Sequence, residues 1–271
     1  CYNDSKEQLM AADRLDLVHS LFSILNDSKR DHPDFILARY FLENYSKLGE
    51  LNIYDVAARC FVSRSSVRRF CQRLGYDNFK DLKEEFKRFN YQYHYFLQFA
   101  MKPDFESWMQ NELEAMVREF ECLSVKENIA RIADKIYESS KIIFLSSYST
   151  LMEVTEFQRP MVLSGKLIRI LSERKVHDEF ITDMQQNDLL VTVSDSGNFA
   201  ASVHEIIKTI KANKLLITTS RSPEITENYD EVFYLGSKDY THVKSVFGKY
   251  GLMYFFDLLY STYIQKYGIK V

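Results

Sequence analysis

Residues 52–86 read NIYDVAARCFVSRSSVRRFCQRLGYDNFKDLKEEF, and this stretch decides the fold of the N-terminal part of the chain. Ile53 to Cys60 has the spacing of a short helix with Val56 and Ala57 turned inward. Phe61 and Val62 make a turn, and Ser63 stands where its hydroxyl can accept an orphan backbone N–H of a second helix. In that second helix Val67, Phe70, Cys71 and Leu74 fall at i, i+3, i+4 and i+7, which is one face. Arg64, Ser65, Arg68, Arg69, Gln72 and Arg73 occupy the other, and Gly75 ends the helix in a position that favours left-handed backbone. A solvated structural helix usually mixes charge signs, whereas this face carries four arginines and no acid. A helix lying in the major groove of DNA meets a partner of the opposite sign. The candidate DNA-binding residues are therefore Arg64, Ser65, Ser66, Arg68, Arg69 and Arg73, with Ser66 supporting the helix start and Arg69 alternatively bracing the fold against an acid.

The string VSRSSVRRFCQRLGYDNFKDLK, residues 62–83, resembles the RpiR family of bacterial transcriptional regulators. The family pattern is met without a gap, from Val62, Ser63, Ser66 and Val67 through Arg69, Phe70, Cys71, Leu74, Gly75 and Tyr76 to Phe79, Asp81, Leu82 and Lys83. The resemblance implies an N-terminal helix-turn-helix domain followed by a sugar-isomerase (SIS) domain that senses a phosphorylated sugar.

Bulk properties agree with two packed domains. The chain has 271 residues, 46% of them hydrophobic. No apolar run reaches the ~18 residues of a membrane span, and the start, CYNDSKEQLMAADRLDL, lacks a basic-then-apolar signal, so a cytoplasmic location is expected. Four cysteines show no CxxC spacing, and Cys60 and Cys71 read as buried thiols in a reducing compartment. Six scattered histidines include no HExxH, so no metal site is expected, and no cofactor. The net charge of −3 is uneven: residues 35–90 hold 11 Lys and Arg against 7 Asp and Glu, while the first 34 hold 4 against 7. The basic excess falls where phosphate contacts would need it.

Residues 12–26 and 35–48 read as further helices, with Asp34 as a cap, and residues 77–89 as the last helix of a domain spanning 1–90, ending in Lys87 and Arg88. The aromatic-rich YQYHYFLQFAMKPD from Tyr91 reads as a linker that packs between domains or subunits rather than as a base-stacking platform. With an amphipathic helix over 105–122 it forms a connecting segment, 91–122. A helix over 126–138 opens the last domain, 123–271. There the runs IIFLSS, KLIRIL, DLLVTV, KLLITTS and EVFYLG alternate with helical segments and a long apolar helix closes from Val243. This alternation predicts a five-stranded parallel sheet flanked by helices.

The strongest local signal in that domain is VSDSGNFAAS from Val193, a strand running through Ser194–Gly197 into a helix near Asn198. Hydroxyls and free amides converge in such a turn, which suits an anion, although Ser and Asn also serve simply as caps. The SIS resemblance implies a phosphate loop S-x-S-G-x-T here; Ser194, Ser196 and Gly197 match, and Phe199 replaces the Thr. The family's Gly-x-Gly-x-Ser turn after the first strand is represented by Ser146, Tyr148 and Thr150, without either glycine, and Pro160 is expected to interrupt the following helix. The ligand candidates are Ser146, Ser147, Thr150, Ser194, Ser196, Gly197 and Asn198, with Tyr148 and Phe199 narrowing the space.

The expectation is a DNA-binding regulator of carbohydrate metabolism. It reads a palindromic double-stranded operator as a homodimer or higher homo-oligomer and answers to a phosphorylated sugar or related ligand. A sugar-phosphate isomerase would need a positioned base; Glu153, Glu156, His177 and His204 are available, but none stands in a catalytic motif, and no catalytic residue is assigned. No GxGxxG follows the first strand, which speaks against a nucleotide-cofactor enzyme. A regulator whose SIS domain has lost its ligand and only dimerises is the third possibility.

Overall fold

The computed structural model describes residues 17–85, 89–172 and 179–268. Residues 12–16, Lys87, Arg88 and His177 lie outside the described residues. The chain divides into two compact units, Cys1–Leu97 and Gln98–Val271.

The first unit contains α1 (Leu17–Asp27), α2 (Pro33–Glu43), a 3-10 turn (Tyr45–Glu50), α3 (Ile53–Arg59), α4 (Arg64–Arg73) and α5 (Phe79–Glu85). Side chains stop and start these helices. Asn52 Oδ1 accepts the amides of Tyr54 and Asp55 at 2.9 and 3.0 Å at the head of α3. Ser63 Oγ accepts the Ser66 amide at 3.1 Å at the head of α4. Asn78 Oδ1 accepts those of Lys80 and Asp81 at 2.8 and 3.1 Å, so α5 starts two residues later than the pattern predicts. Asp34 is not the cap of α2. Pro33 fits the first helical position, where no amide donor is needed, and His32 Nδ1 accepts the Asp34 amide at 3.2 Å. Asp34 is thereby left for another partner.

α4 ends as its glycine requires. Gly75 has φ +87°, its amide bonds to Gln72 O at 3.1 Å and that of Tyr76 to Cys71 O at 2.9 Å. This is the paired pattern of a left-handed helix stop, with Tyr76 and Cys71 both buried beneath it. Val67, Phe70, Cys71 and Leu74 are all in the core, where the Phe41 ring meets Phe70 edge-on at 5.5 Å and Phe79 at 5.9 Å. Burial pushes the Cys60 thiol up to about 11 and the Cys71 thiol up to about 12, so both stay protonated and unreactive.

The division between the units falls inside α6 (Phe89–Ala100), a helix in the aromatic-rich stretch that the sequence reads as a linker. α7 (Phe105–Phe120) and α8 (Leu123–Glu138) follow; Met116 and Phe120 of α7 are buried in the core of the second unit. The strands are β1 (Ile142–Ser146), β2 (Arg169–Ser172), β3 (Leu189–Val193), β4 (Asn213–Thr218) and β5 (Glu231–Tyr234), all parallel in the order β2-β1-β3-β4-β5. β1 and β3 are buried along their whole length, as central strands covered on both faces must be. Between the five strands lie α9 (Leu151–Leu163), a short α10 (Glu179–Thr182), α11 (Asn198–Ser202), α12 (His204–Thr209) and α13 (Pro223–Thr226). A π-helical turn (Phe247–Gly251) leads into α14 (Leu252–Tyr267), whose Phe255, Phe256 and Leu259 are buried against the sheet core around Phe144. Pro160 does not interrupt α9. It sits in the last turn, one turn from the Ser164 cap, where the missing amide costs a single bond and its own carbonyl accepts the Ser164 amide at 3.0 Å.

Replacing Gly75 with alanine forces a Cβ into left-handed backbone and is expected to destabilise the protein by about 1–2 kcal/mol. Denaturant unfolding measures this, and an unchanged midpoint would show that the helix stop tolerates a side chain.

Candidate functional site

The outer face of α4 divides into free and committed groups. Arg64, Ser65, Arg68, Arg69 and Gln72 are exposed. The Arg64 guanidinium lies 4.7 Å above the Tyr54 ring, which is itself 64% exposed. Arg69 reaches Ser66 Oγ at 3.5 Å, and Ser66 is half-buried with its hydroxyl 2.9 Å from Ser63 Oγ, which makes it part of the helix start. Among the described residues Arg68 forms no hydrogen bond or ion pair. Arg73 is the bracing arginine: it is ion-paired with Asp34 on α2, the role the sequence offered to Arg69. The turn before α4 adds a feature that the pattern did not reveal. Phe61 has φ +54° and is 96% exposed, an aromatic ring held into solvent beside the arginine face.

In the second unit the strand order marks out a second candidate site. β1 is flanked by β2 on one side and β3 on the other, so the connections leaving β1 and β3 diverge to opposite faces. Open α/β sheets bind ligands in the crevice at such a reversal, outside the carboxyl ends of the strands. The loops found there are 147–150 and 194–197. They are tied together by Thr150 Oγ1, 3.3 Å from Val193 O. Hydroxyls form a chain through the first loop: Ser149 Oγ to Ser147 Oγ at 2.8 Å, Ser147 to Thr150 at 3.5 Å, Thr150 to Ser146 at 2.9 Å. The chain runs from exposed to buried. Ser149 is open to solvent, Ser147 half-buried, and Thr150 and Ser146 fully inside.

The second loop is similarly graded. Ser194 is buried, and its Oγ accepts the Ala200 amide at 3.1 Å. Ser196 is half-buried, with its amide on Asp195 Oδ1 at 2.7 Å, and Asn198 is exposed. Gly197 has φ +82°, and a Cβ there would lie 2.7 Å from Ser220 Cβ. Phe199 turns into the core and does not narrow the crevice, while Tyr148 remains half-buried at its edge. Of the sequence candidates, Ser147, Ser196 and Asn198 therefore present groups outward, whereas Ser146, Thr150, Ser194 and Gly197 build the loops behind them.

Acids gather at the same end of the sheet. Asp195 follows β3, and the position of a Cβ on Gly248 in the π-helical turn is 3.0 Å from its Oδ2. Burial raises the carboxyl pKa of both Asp195 and Glu153, and for Glu153 the nearby Asp195 charge adds to the rise. The Lys249 charge offsets part of this for Glu153, and that of Lys244 for Asp195. The other proposed bases lie elsewhere or are committed: Glu156 pairs with Arg159 at 3.3 Å, and His204 with Glu205 at 2.8 Å.

Residues 22–89 match the model of the rpiR-family helix-turn-helix domain. The N-terminal unit is an RpiR-family helix-turn-helix domain. Two curated regulators, GlvR of Bacillus subtilis and an uncharacterised HTH-type regulator in the aarA 3' region of Providencia stuartii, are each 23% identical over 189 residues. In both cases the match covers 67% of this chain and 66% of the relative, just under two thirds of that protein's length. Among solved structures, Vibrio vulnificus NanR in complex with ManNAc-6P aligns at 16% identity over 93% of this chain and 92% of that one, with a TM-score of 0.49. The sugar isomerase domain of an RpiR transcription factor from Sphaerobacter thermophilus aligns at 15% identity over 57% and 89%, with a TM-score of 0.40.

In the RpiR-type domain, sequence reasoning found the arginine face and missed Tyr54 and Phe61. Helical periodicity marks which side faces inward but does not say which outward aromatics stay uncovered. In the α/β unit it missed Ser149 and Asp195, although the run Ser146-Ser147-Tyr148-Ser149-Thr150 was a visible signal for the first. Gly197→Ala combines left-handed strain with a clash against Ser220 and Ile225, and is expected to lower stability by about 2–4 kcal/mol. Thermal unfolding checks this, and a melting temperature equal to wild type would show that the loop can rebuild.

Proposed function

We propose that this protein is a cytoplasmic transcriptional regulator of carbohydrate metabolism. It binds double-stranded DNA through α4 and is switched by a phosphorylated sugar or a related anion held at the carboxyl ends of β1 and β3. The observation that carries the reading is the exposed, acid-free arginine face of α4 in an RpiR-type domain, backed by an inner face that is wholly buried. Both curated relatives are HTH-type transcriptional regulators. No helix among the described residues is long and apolar enough to cross a membrane.

In this reading Arg64, Ser65, Arg68 and Arg69 meet the DNA and Arg73 holds α4 to α2. One such helix buries too little surface for strong site selection, so the active species is a homodimer on a palindromic operator. The effector anion is met by the outward groups Ser147, Ser149, Ser196 and Asn198. The aromatic helix α6 carries the difference between liganded and free states, because a switch needs unequal ligand affinity for two arrangements.

One observation favours an isomerase as a second reading. Glu153 is a buried carboxyl with a raised pKa at the same end of the sheet, the condition of a general base. Incubation with hexose and pentose phosphates, followed by NMR, tests it directly; turnover would displace the regulator reading of this unit.

Arg68→Ala is expected to weaken operator binding by about 1–3 kcal/mol if the side chain reads a base edge. Arg73→Ala should leave operator affinity nearly unchanged and cost about 1 kcal/mol of stability, as expected for an ion pair whose arginine is half exposed. Gel-shift titration on an operator selected from genomic fragments, with parallel unfolding, separates the two; equal loss of affinity in both variants would mean that the division of labour is wrong. Light scattering at micromolar concentration should report a dimer, and a monomer there would contradict palindrome reading.

A further inference from the structure

Glu153 is the third residue of α9, immediately after the hydroxyl-lined loop of β1. It is only 8% exposed, and its Oε2 is fully buried with no hydrogen-bond partner among the described residues. An unpaired buried carboxylate oxygen is costly, and such groups call for a reason. Helix capping supplies half of one. Thr150-x-x-Glu153 has the spacing of a capping box, in which the acid would take the Thr150 amide. That amide is bonded instead to Ser147 O at 3.2 Å, and the Glu153 carboxyl accepts its own backbone N–H. The second oxygen is left over.

The surroundings define what could satisfy it. Asp195 adds a second negative charge from the end of β3. Lys249 attracts Glu153 from an exposed position but does not bond the buried oxygen. Lys244 has its Nζ 5.4 Å from the Phe99 ring centre. The crevice thus offers outward hydroxyls on its two loops and, behind them, an acid with a vacant acceptor.

We propose that Glu153 is a specificity-determining residue of the effector site, whose buried oxygen accepts an N–H from a cationic amine, so that the site takes a phosphorylated amino sugar in preference to the same sugar phosphate bearing a hydroxyl. This rests on the reading of the β1 and β3 ends as the effector site. A hydroxyl could also donate to Glu153, but an ammonium adds the attraction of opposite charges to the hydrogen bond, and it relieves the repulsion from Asp195 that a neutral donor leaves in place.

Calorimetric titration and thermal shift with 2-amino-hexose 6-phosphates, each paired with its 2-hydroxy counterpart, test the inference on the full chain. Wild type is expected to bind at least one amino sugar phosphate about tenfold more tightly than its partner. Glu153→Gln keeps the shape and removes the charge, and is expected to bring that ratio close to one. Equal binding of each pair by wild type, or an unchanged ratio in E153Q, overturns the role of Glu153 and leaves the effector site standing. If no hexose phosphate of either kind binds at millimolar concentration, the inference falls, and the effector site is left to other phosphorylated sugars or anions. Should E153Q fail to fold, the wild-type ratio still decides, with Glu153→Asp as the variant that withdraws the carboxylate without removing it.

Discussion

The pairing of β1 with both β2 and β3 is the constraint on which the second unit depends. A strand buried on both faces has to meet all its backbone groups within the sheet, and β1 does so in register with Arg169–Ser172 on one side and Leu189–Val193 on the other. Once β1 is central, its outgoing loop and that of β3 must start side by side and part in opposite directions. A ligand crevice is expected where such loops part, and which side chains stand there is then a local matter. Ser146, Thr150 and Ser194 spend their hydroxyls inside the fold, on each other, on Val193 O and on the Ala200 amide. That expenditure holds Ser147, Ser149 and Ser196 at the rim. A loop of free serines would lose its geometry to side-chain and backbone entropy.

The first unit reaches the same end by other means. Its helices are short, so packing and caps rather than propensity must define them. Asn52, Ser63 and Asn78 each take amides at a helix head, and Gly75 closes α4. The result is a rigid ten-residue helix whose inner face is saturated with Val67, Phe70 and Cys71. Arg73 then ties its far end to Asp34. With four arginines on one face, mutual repulsion would favour fraying. The Arg73–Asp34 pair and the stacking of Arg64 over Tyr54 partly offset it, with Arg64, Arg68 and Arg69 still exposed.

Much of this was legible in the residues. The i, i+3, i+4, i+7 spacing of Val67 to Leu74 gave the orientation of α4, because only one face of a short amphipathic helix can be buried. The five apolar runs became the five strands within a few residues. The failures share one cause: the sequence names a group but not its partner. Asp34 looked like a cap because it precedes an apolar run, yet Pro33 at the first helical position shifted capping to His32. Pro160 looked like a breaker, but α9 runs through it to Leu163 with the loss of one amide donor. Phe199 looked like an intruder in the crevice until the fold turned it inward. The catalytic-looking acids could not be ranked from spacing at all; burial alone separates Glu153 from Glu156.

The position of Lys244 shows how the rim of the crevice could bear on the rest of the molecule. It interacts electrostatically with Asp195 at the end of β3, while its Nζ lies 5.4 Å from the Phe99 ring centre. Phe99 in turn packs edge-on against Phe105 at 5.6 Å and Trp108 at 5.3 Å, where α6 gives way to α7. The same ammonium thus interacts with the acid at the end of β3 and with an aromatic cluster at the junction of α6 and α7. A cation–π contact at a partly exposed site is worth about 0.5–1 kcal/mol, and measured couplings between sites are typically about 1–3 kcal/mol. An anion that draws Lys244 toward the crevice would therefore exchange an energy of the right order for a switch. A neutral ligand that leaves the ammonium over Phe99 would bind without that exchange, and binding alone shifts no equilibrium.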